Sequence, residues 1–328
     1  MKKLLISALS LLMISLNGYS QKSDDGSNFK PNGKPLVTIF SDFRYSVQDG
    51  KTNPAFEISR AYFGYQYNFS PSFSTKVLFD VTSTNNSTNT FPSAYSAYVK
   101  NAFGEYSNKI IKVDFGMIGT NMFNLQESMW GKRYLLKSFQ DLNGYGSSAD
   151  LGVGMKLQLA PQVSLDAQIV NGEGYQKVQS DSAVKVSLGM TVEPVKHLLV
   201  RVYGDYMKKN DSQTTLNAML AYNCDKLTLA GEYNYQKGNK MVKDHALNGL
   251  SFWGTYKTCH TMSIFARFDN LTSKNDWNAA KDGQLYSAGL EFFPVKGMAI
   301  APNFQLTNPK KDGIKSTSNF LVNFNFSF

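Results

Sequence analysis

Asn319-Phe320-Leu321-Val322-Asn323-Phe324-Asn325-Phe326-Ser327-Phe328 closes the chain, and its reading decides the fold. Phe320, Val322, Phe324, Phe326 and Phe328 fall on one face; Asn323, Asn325 and Ser327 fall on the other. Strand side chains alternate between faces, so this is a strand with one greasy side and one wet side. The pattern recurs upstream. Lys112, Asp114 and Gly116 alternate with Ile111, Val113, Phe115 and Met117. Gly152, Gly154, Lys156 and Gln158 alternate with Leu151, Val153, Met155, Leu157 and Leu159. Lys185, Ser187, Gly189 and Thr191 alternate with Val184, Val186, Leu188, Met190 and Val192. No segment shows a helical period of comparable strength.

Working back from the C-terminus, sixteen strands are expected near 35–46, 55–69, 73–83, 93–104, 109–118, 148–160, 163–171, 183–193, 198–208, 213–223, 227–237, 246–256, 261–270, 284–293, 298–306 and 317–328. The connections alternate in length. Short turns such as Ser70-Pro71, Pro161-Gln162 and Pro194-Val195-Lys196 separate longer loops at 47–54, 84–92, 119–147, 171–182, 238–245, 271–283 and 307–316. The 208–213 connection breaks this rule by being short. Strands of about ten residues joined in this way are the sequence form of a membrane-spanning β-barrel. A soluble sandwich would also alternate. Against it stand an apolar face on every strand, charges on the opposite face, and aromatics gathered at strand ends, as in Tyr65, Tyr67, Phe69 and Phe73. The fold class expected is all-β: a 16-stranded antiparallel transmembrane β-barrel with an inward-folded third loop.

Composition agrees. The chain has 328 residues, 13% of them aromatic, with 23 Phe, 18 Tyr and 25 Gly. Mean hydropathy is −0.30. After residue 20 no apolar stretch reaches the roughly 20 residues of a transmembrane helix. Two Cys and three His argue against a disulfide scaffold or a Cys/His metal cluster. Residues 1–20 read as a signal peptide: Lys2 and Lys3, an apolar run from Leu4 to Leu16, then small residues before a cut after Ser20. Losing Lys2 and Lys3 lowers the formal charge from +9 to +7. Export from the cytoplasm, and no Lys/Arg block longer than two residues, argue against nucleic acid as a partner. Residues 21–33 are expected to be a mobile periplasmic leader, and 34–328 a single barrel domain. An even strand number returns both termini to the periplasmic side of a bacterial outer membrane.

With the apolar face outward, one set of charges faces inward. The basic set is Arg44, Arg60, Lys76, Lys100, Lys112, Lys156, Lys185, Arg201 and Arg267. The acidic set is Asp42, Asp80, Asp114, Asp166, Glu193, Asp205, Glu232, Asp269 and Glu291. Equal numbers predict a mixed wall. Arg60, Lys76, Lys100, Lys112 and Lys156 outnumber Asp80 and Asp114 on strands two to six, which predicts a basic stripe there. Sixteen strands are too many for side chains to fill the interior, so a water-filled channel is expected. The 119–147 connection is the longest, and Met122, Phe123, Leu125, Met129, Trp130, Leu135, Leu136 and Phe139 make it too apolar for a solvated tip. It is expected to fold inward, presenting Glu127, Lys132, Arg133, Lys137 and Asp141 to the pore; an outward cap or subunit contact is the alternative.

These features resemble a bacterial outer-membrane porin, and the nearest likeness is the general porin group of Bacteroidota related to the phosphate-selective porin O and P family. The likeness rests on the signal ending before Gln21, Glu57-Ile58-Ser59-Arg60-Ala61-Tyr62-Phe63-Gly64-Tyr65, Glu127-Ser128-Met129-Trp130-Gly131-Lys132-Arg133-Tyr134, and the terminal Phe328. It implies passive diffusion of small hydrophilic solutes and inorganic anions, no cofactor, contact with outer-membrane lipid, a homotrimer, and a terminal Phe that signals barrel insertion. The scattered arginines, matched by acids, differ from the dense basic ladder of the phosphate pores. Other readings are weaker. An enzyme would need Ser, His and an acid within reach, but His197 and His260 sit in predicted turns and no GxSxG elbow occurs. About 13 residues before the first strand leave no room for a transporter plug. A non-conducting barrel that binds ligands at the surface remains the alternative. Cys224 and Cys259, near turns of neighbouring hairpins, could form a disulfide.

Overall fold

The computed structural model describes residues 29–83 and 95–328. The expected signal peptide, and the leader up to residue 28, lie outside the described residues. Pro31–Phe328 forms one unit. It comprises β1 (Asn32–Gln48), β2 (Lys51–Asn68), β3 (Phe73–Ser83), β4 (Tyr95–Ser107), β5 (Ile111–Gly119), β6 (Ala149–Ala160), β7 (Val163–Val170), β8 (Lys185–Val195), β9 (Leu198–Lys208), β10 (Ser212–Asn223), β11 (Leu227–Lys237), β12 (Leu247–Cys259), β13 (Met262–Ser273), β14 (Gly283–Phe292), β15 (Met298–Pro309) and β16 (Thr317–Ser327).

Each strand pairs antiparallel with its sequence neighbours, and β1 pairs with β16, so the sheet is a closed 16-stranded barrel without an edge. The closing ladder runs from Thr38 opposite Ser327 to Gln48 opposite Thr317. Phe328 extends it: its N–H donates to Val37 O (3.0 Å) and its carbonyl accepts from Val37 N–H (3.1 Å).

Burial is inverted relative to a water-soluble protein. Asp80, Thr215, Asn234 and Ser251 are 0% exposed, whereas Phe56 is 85% and Phe115 70% exposed. Leu188, Leu216, Phe252 and Phe320 also point outward. An apolar band of this extent matches lipid rather than water.

The structure departs from the expected pattern in two ways. The loop expected at 47–54 is a two-residue hairpin, Asp49-Gly50, with φ of 51° and 73°. Asp-Gly suits the left-handed pair that such a turn needs, and the polar strand ends resemble a loop in sequence because they rise past the apolar band. Secondly, the inner face changes parity at two β-bulges. Phe40 pairs with Arg60 but Ser41 with Ile58, leaving Ser59 as the extra residue. Leu78 pairs with Asn101 but Phe79 with Val99, leaving Lys100 extra. Each bulge flips the side chains beyond it. Glu57 therefore stands opposite inward Asp42, and Glu105 opposite inward Asp114. Both join the inner wall, and the basic stripe expected on β2–β6 is diluted by two further carboxylates.

Candidate functional site: the lumen and the β5–β6 loop

The β5–β6 loop contains two short helices, α1 (Asn124–Trp130) and α2 (Phe139–Leu142). Gly131 ends α1 in the left-handed conformation (φ 65°), its N–H donating to Glu127 O at 2.9 Å. The apolar side chains that make this loop unusual are buried: Phe123 is 0%, Phe139 1% and Trp130 2% exposed.

The loop is tied to the inward faces of strands around much of the barrel. Arg201 on β9 donates to Asn121 O (2.7 Å), and Gln168 on β7 donates to Gly119 O (2.8 Å). Gln126 donates to Asn217 on β10 (2.8 Å), and Gln140 to Asn234 on β11. Arg267 on β13 donates to Lys137 O (2.8 Å) and lies 5.1 Å from the Trp130 ring centroid. Glu291 on β14 accepts from Tyr134 (2.7 Å) and from Ser263 (2.8 Å), and its carboxylate is 2.8 Å from Lys132 Nζ. Asn323 on β16 donates to Tyr134 O (3.2 Å). Each bond satisfies a polar group that burial would otherwise penalise.

Facing β2, the loop presents charge. Arg133 donates to Glu127 (2.6 Å), to Asp141 (2.5 Å) and across to the Tyr62 hydroxyl (3.3 Å). Lys137 lies 3.8 Å from Asp141. Burial would raise the Asp141 carboxyl, but Arg133 and Lys137 beside it hold it below its ordinary value. Burial lowers the Lys137 ammonium, and nearby Arg60 and Arg133 lower it further against the pull of Asp141. Arg133 lines three cavities. One of about 410 Å³ also meets Asp42, Arg44, Arg60 and Lys137. A second, about 400 Å³, meets Arg60, Lys137, Asp141, Tyr175 and Lys185. The third, also about 400 Å³, meets Thr38, Glu127, Ser128, Asn325 and Ser327. Arg133 thus stands where these spaces meet.

The sequence-predicted residues divide into three groups. Glu127, Arg133, Lys137 and Asp141 come together as one charged cluster. Lys132 does not join it: its side chain is 7% exposed and buried against Glu291, because a buried carboxylate lies within reach of the chain's turn after α1. On the wall, Arg60 pairs with Asp80 and donates to Tyr175 (3.2 Å). Arg44 contacts Asp42 (3.4 Å) and Glu57 (3.5 Å). Lys112 contacts Glu105 (2.5 Å) and Asp114 (3.8 Å). Lys100 sits 4.6 Å from the Tyr62 ring centroid and 5.8 Å from that of Tyr175. Lys76 is half-buried, and Lys156 is exposed, in register between Lys112 and Asp166. Sequence reasoning missed Tyr62 and Tyr175. Parity on β2 could have placed Tyr62 beside Arg60; nothing local marks Tyr175, which enters from the β7–β8 connection. Cys224 and Cys259 are free thiols, so the possible disulfide is absent. Among the described residues no group of His, Cys, Asp and Glu could hold a metal ion.

The sign of the Asp141 shift gives a pH prediction. A carboxylate held below its ordinary value of 3.8 stabilises the fold at pH above that value, and the contribution is lost as pH falls through the lower folded value. The cluster of Asp141 with Arg133, Lys137 and Glu127, facing Arg60 and Tyr62, should therefore persist from neutrality down to that ordinary value. The hydrogen-exchange protection of residues 133–141 is expected to hold steady over that range and to fall only below it. Protection of that segment lost already near pH 6 would contradict this.

No protein-family profile and no curated protein matches the chain. Solved structures do. Pseudomonas putida OprB is 11% identical, with a TM-score of 0.70 over 90% of this chain and 94% of that one. Salmonella typhi OmpF, solved with daunomycin, is 11% identical, with a TM-score of 0.69 over 90% and 97%. An anion-selective porin from Comamonas acidovorans is 10% identical, with a TM-score of 0.68 over 91% and 100%. At such identities the likeness shows the fold: a 16-stranded barrel of the kind found in outer-membrane porins.

Proposed function

We propose that the protein is a bacterial outer-membrane porin that passes small hydrophilic solutes and inorganic anions by passive diffusion, with mixed to weakly anion-favouring selectivity, and that it is not an enzyme. The observation that carries this reading is the inverted barrel: lipid-matching side chains outside and ionised side chains inside, around a lumen holding the β5–β6 loop. Water in the lumen removes the cost of about 2–4 kcal/mol that an Arg or Lys would incur facing lipid at mid-membrane. The loop narrows the path to the side of β2–β6, where Arg133 and Lys137 face Arg60, Lys100 and Tyr62. Both termini then lie on the periplasmic side, and the chain assembles as a homotrimer. One solved neighbour, OmpT of Vibrio cholerae, is described in a trimer form.

Planar-bilayer recording tests the reading. The folded protein should conduct, and neutralising Lys100, Lys112 and Arg133 together should move the reversal potential in a salt gradient toward cations. A folded protein that never conducts would favour the alternative, a barrel with a surface binding or structural role. Conduction with an unmoved reversal potential would remove these residues from the lining.

A further inference from the structure

The outward wall across β9–β15 carries an apolar groove of about 1140 Å³. Its floor is made of small residues. Gly254 on β12, Ala266 on β13 and Ala288 on β14 stand directly opposite one another, so three adjacent strands lack bulk at one height. Ala218 and Gly231 continue the floor on β10 and β11. The groove opens toward the rim where β1 begins and β16 ends: Leu198 begins β9, Tyr222 stands one residue from the end of β10, and Leu229 is near the start of β11.

That rim supplies more basic than acidic charge: beside the lysines stand Asp225 and Glu193, whose carboxylate accepts from His197 N–H in the β8–β9 turn at 2.8 Å. Lys196 lies in the β8–β9 turn and Lys226 in the β10–β11 turn, both exposed. A third lysine, Lys257, stands beside Lys226, their backbones joined by Lys257 N–H donating to Lys226 O at 2.8 Å. In these two turns Asp225 is the one acidic residue.

From this arrangement we infer a binding site for an anionic phospholipid of the leaflet on that side. One acyl chain lies along the groove, and the headgroup phosphate sits at Lys196 and Lys226. Lipid covers every outward wall of a barrel in a membrane, but a recess of this kind gives an acyl chain side walls as well as a base. Here Phe252 leans over Gly231 and Leu229 over Gly254, and between them Ala218, Ala266 and Ala288 leave a trough in which an acyl chain recovers dispersion contacts that the small residues cannot make. Basic side chains at the polar boundary select the charged headgroup. The inference rests on the membrane-spanning reading and is independent of what crosses the pore.

Native mass spectrometry of the folded protein, released from detergent after incubation with equal amounts of dioleoyl phosphatidylglycerol and dioleoyl phosphatidylcholine, tests it. One phosphatidylglycerol should be retained per chain. Two lysines near the headgroup favour it about 30-fold over phosphatidylcholine. The A218L/A266L variant, which fills the floor, should lose the retained lipid. K196Q/K226Q should keep a lipid but discriminate little between the two. Neither variant touches the lumen, so both should show the wild-type conductance, which confirms folding. Equal retention of the two lipids by the wild type would overturn the inference. So would an unchanged complement of lipid in A218L/A266L. If A218L/A266L instead breaks an oligomer that the wild type forms, the groove is an interface between copies, which equally overturns it.

Discussion

Replacing residues 122–141 with a short Gly-Ser linker is expected to raise single-channel conductance severalfold. The loop carries Phe123, Trp130, Tyr134 and Phe139 into contact with the inward wall, and in the porin proposed above they would displace water from the lumen. The barrel itself does not depend on them. Its strands are held by a closed ladder of backbone bonds, and the wall groups that would lose loop partners, such as Asn217, Asn234 and Arg267, are polar and would be solvated in the enlarged lumen. Planar-bilayer recording at fixed salt measures the change, with an electrophoretic shift on heating to confirm that the variant folds. Unchanged conductance would show that the loop lies outside the current path.

The second large effect concerns Glu291. Its carboxylate takes Tyr134, Ser263 and Lys132 at once, and the Lys132 and Glu291 side chains are 7% and 5% exposed. Removing the charge while keeping the shape, Glu291→Gln, strands a buried ammonium. Breaking such a pair costs about 3–5 kcal/mol. That cost falls on the attachment of the loop rather than on the barrel, whose ladders are untouched. Glu291→Gln should therefore give a flickering open-channel current, and residues 124–142 should exchange their amide hydrogens faster. The double variant Lys132→Met with Glu291→Gln should quieten the channel again, because the uncompensated ammonium is gone while the amide oxygen at 291 still accepts from Tyr134. A loop equally protected in Glu291→Gln would sink this assignment.

Much of the barrel was legible locally. The positions of β3, β9 and β11 follow from alternation alone, since a strand between lipid and water must switch polarity at every residue. Local reading failed where alternation stops meaning inside and outside. At the tips of β1 and β2 both faces meet water, and polar residues on both faces concealed a hairpin. Past Ser59 and Lys100, a single extra residue inverts the assignment, so Glu57 and Glu105 are out of parity with Arg60 and Lys100 yet line the wall.

The site was legible in part, for a related reason. The apolar content of residues 119–147 marked them as unsuited to water, and Glu127, Arg133, Lys137 and Asp141 do gather at the junction of three cavities. Lys132 could not be separated from its neighbours, because its partner lies 159 positions away, across the lumen. Tyr62 and Tyr175 meet Arg60 and Lys100 only through closure of the barrel.

The sequence by itself determined the strand number, the two-faced wall and the anomalous loop, because each is written in the polarity of residues close together along the chain. Only the tertiary structure decided which charges face one another, which lysine is buried, and where Arg133 stands between the cavities. Those depend on bulges and on closure of β1 against β16, which bring distant residues to within a few ångströms, where Coulomb and hydrogen-bond energies become large enough to choose partners.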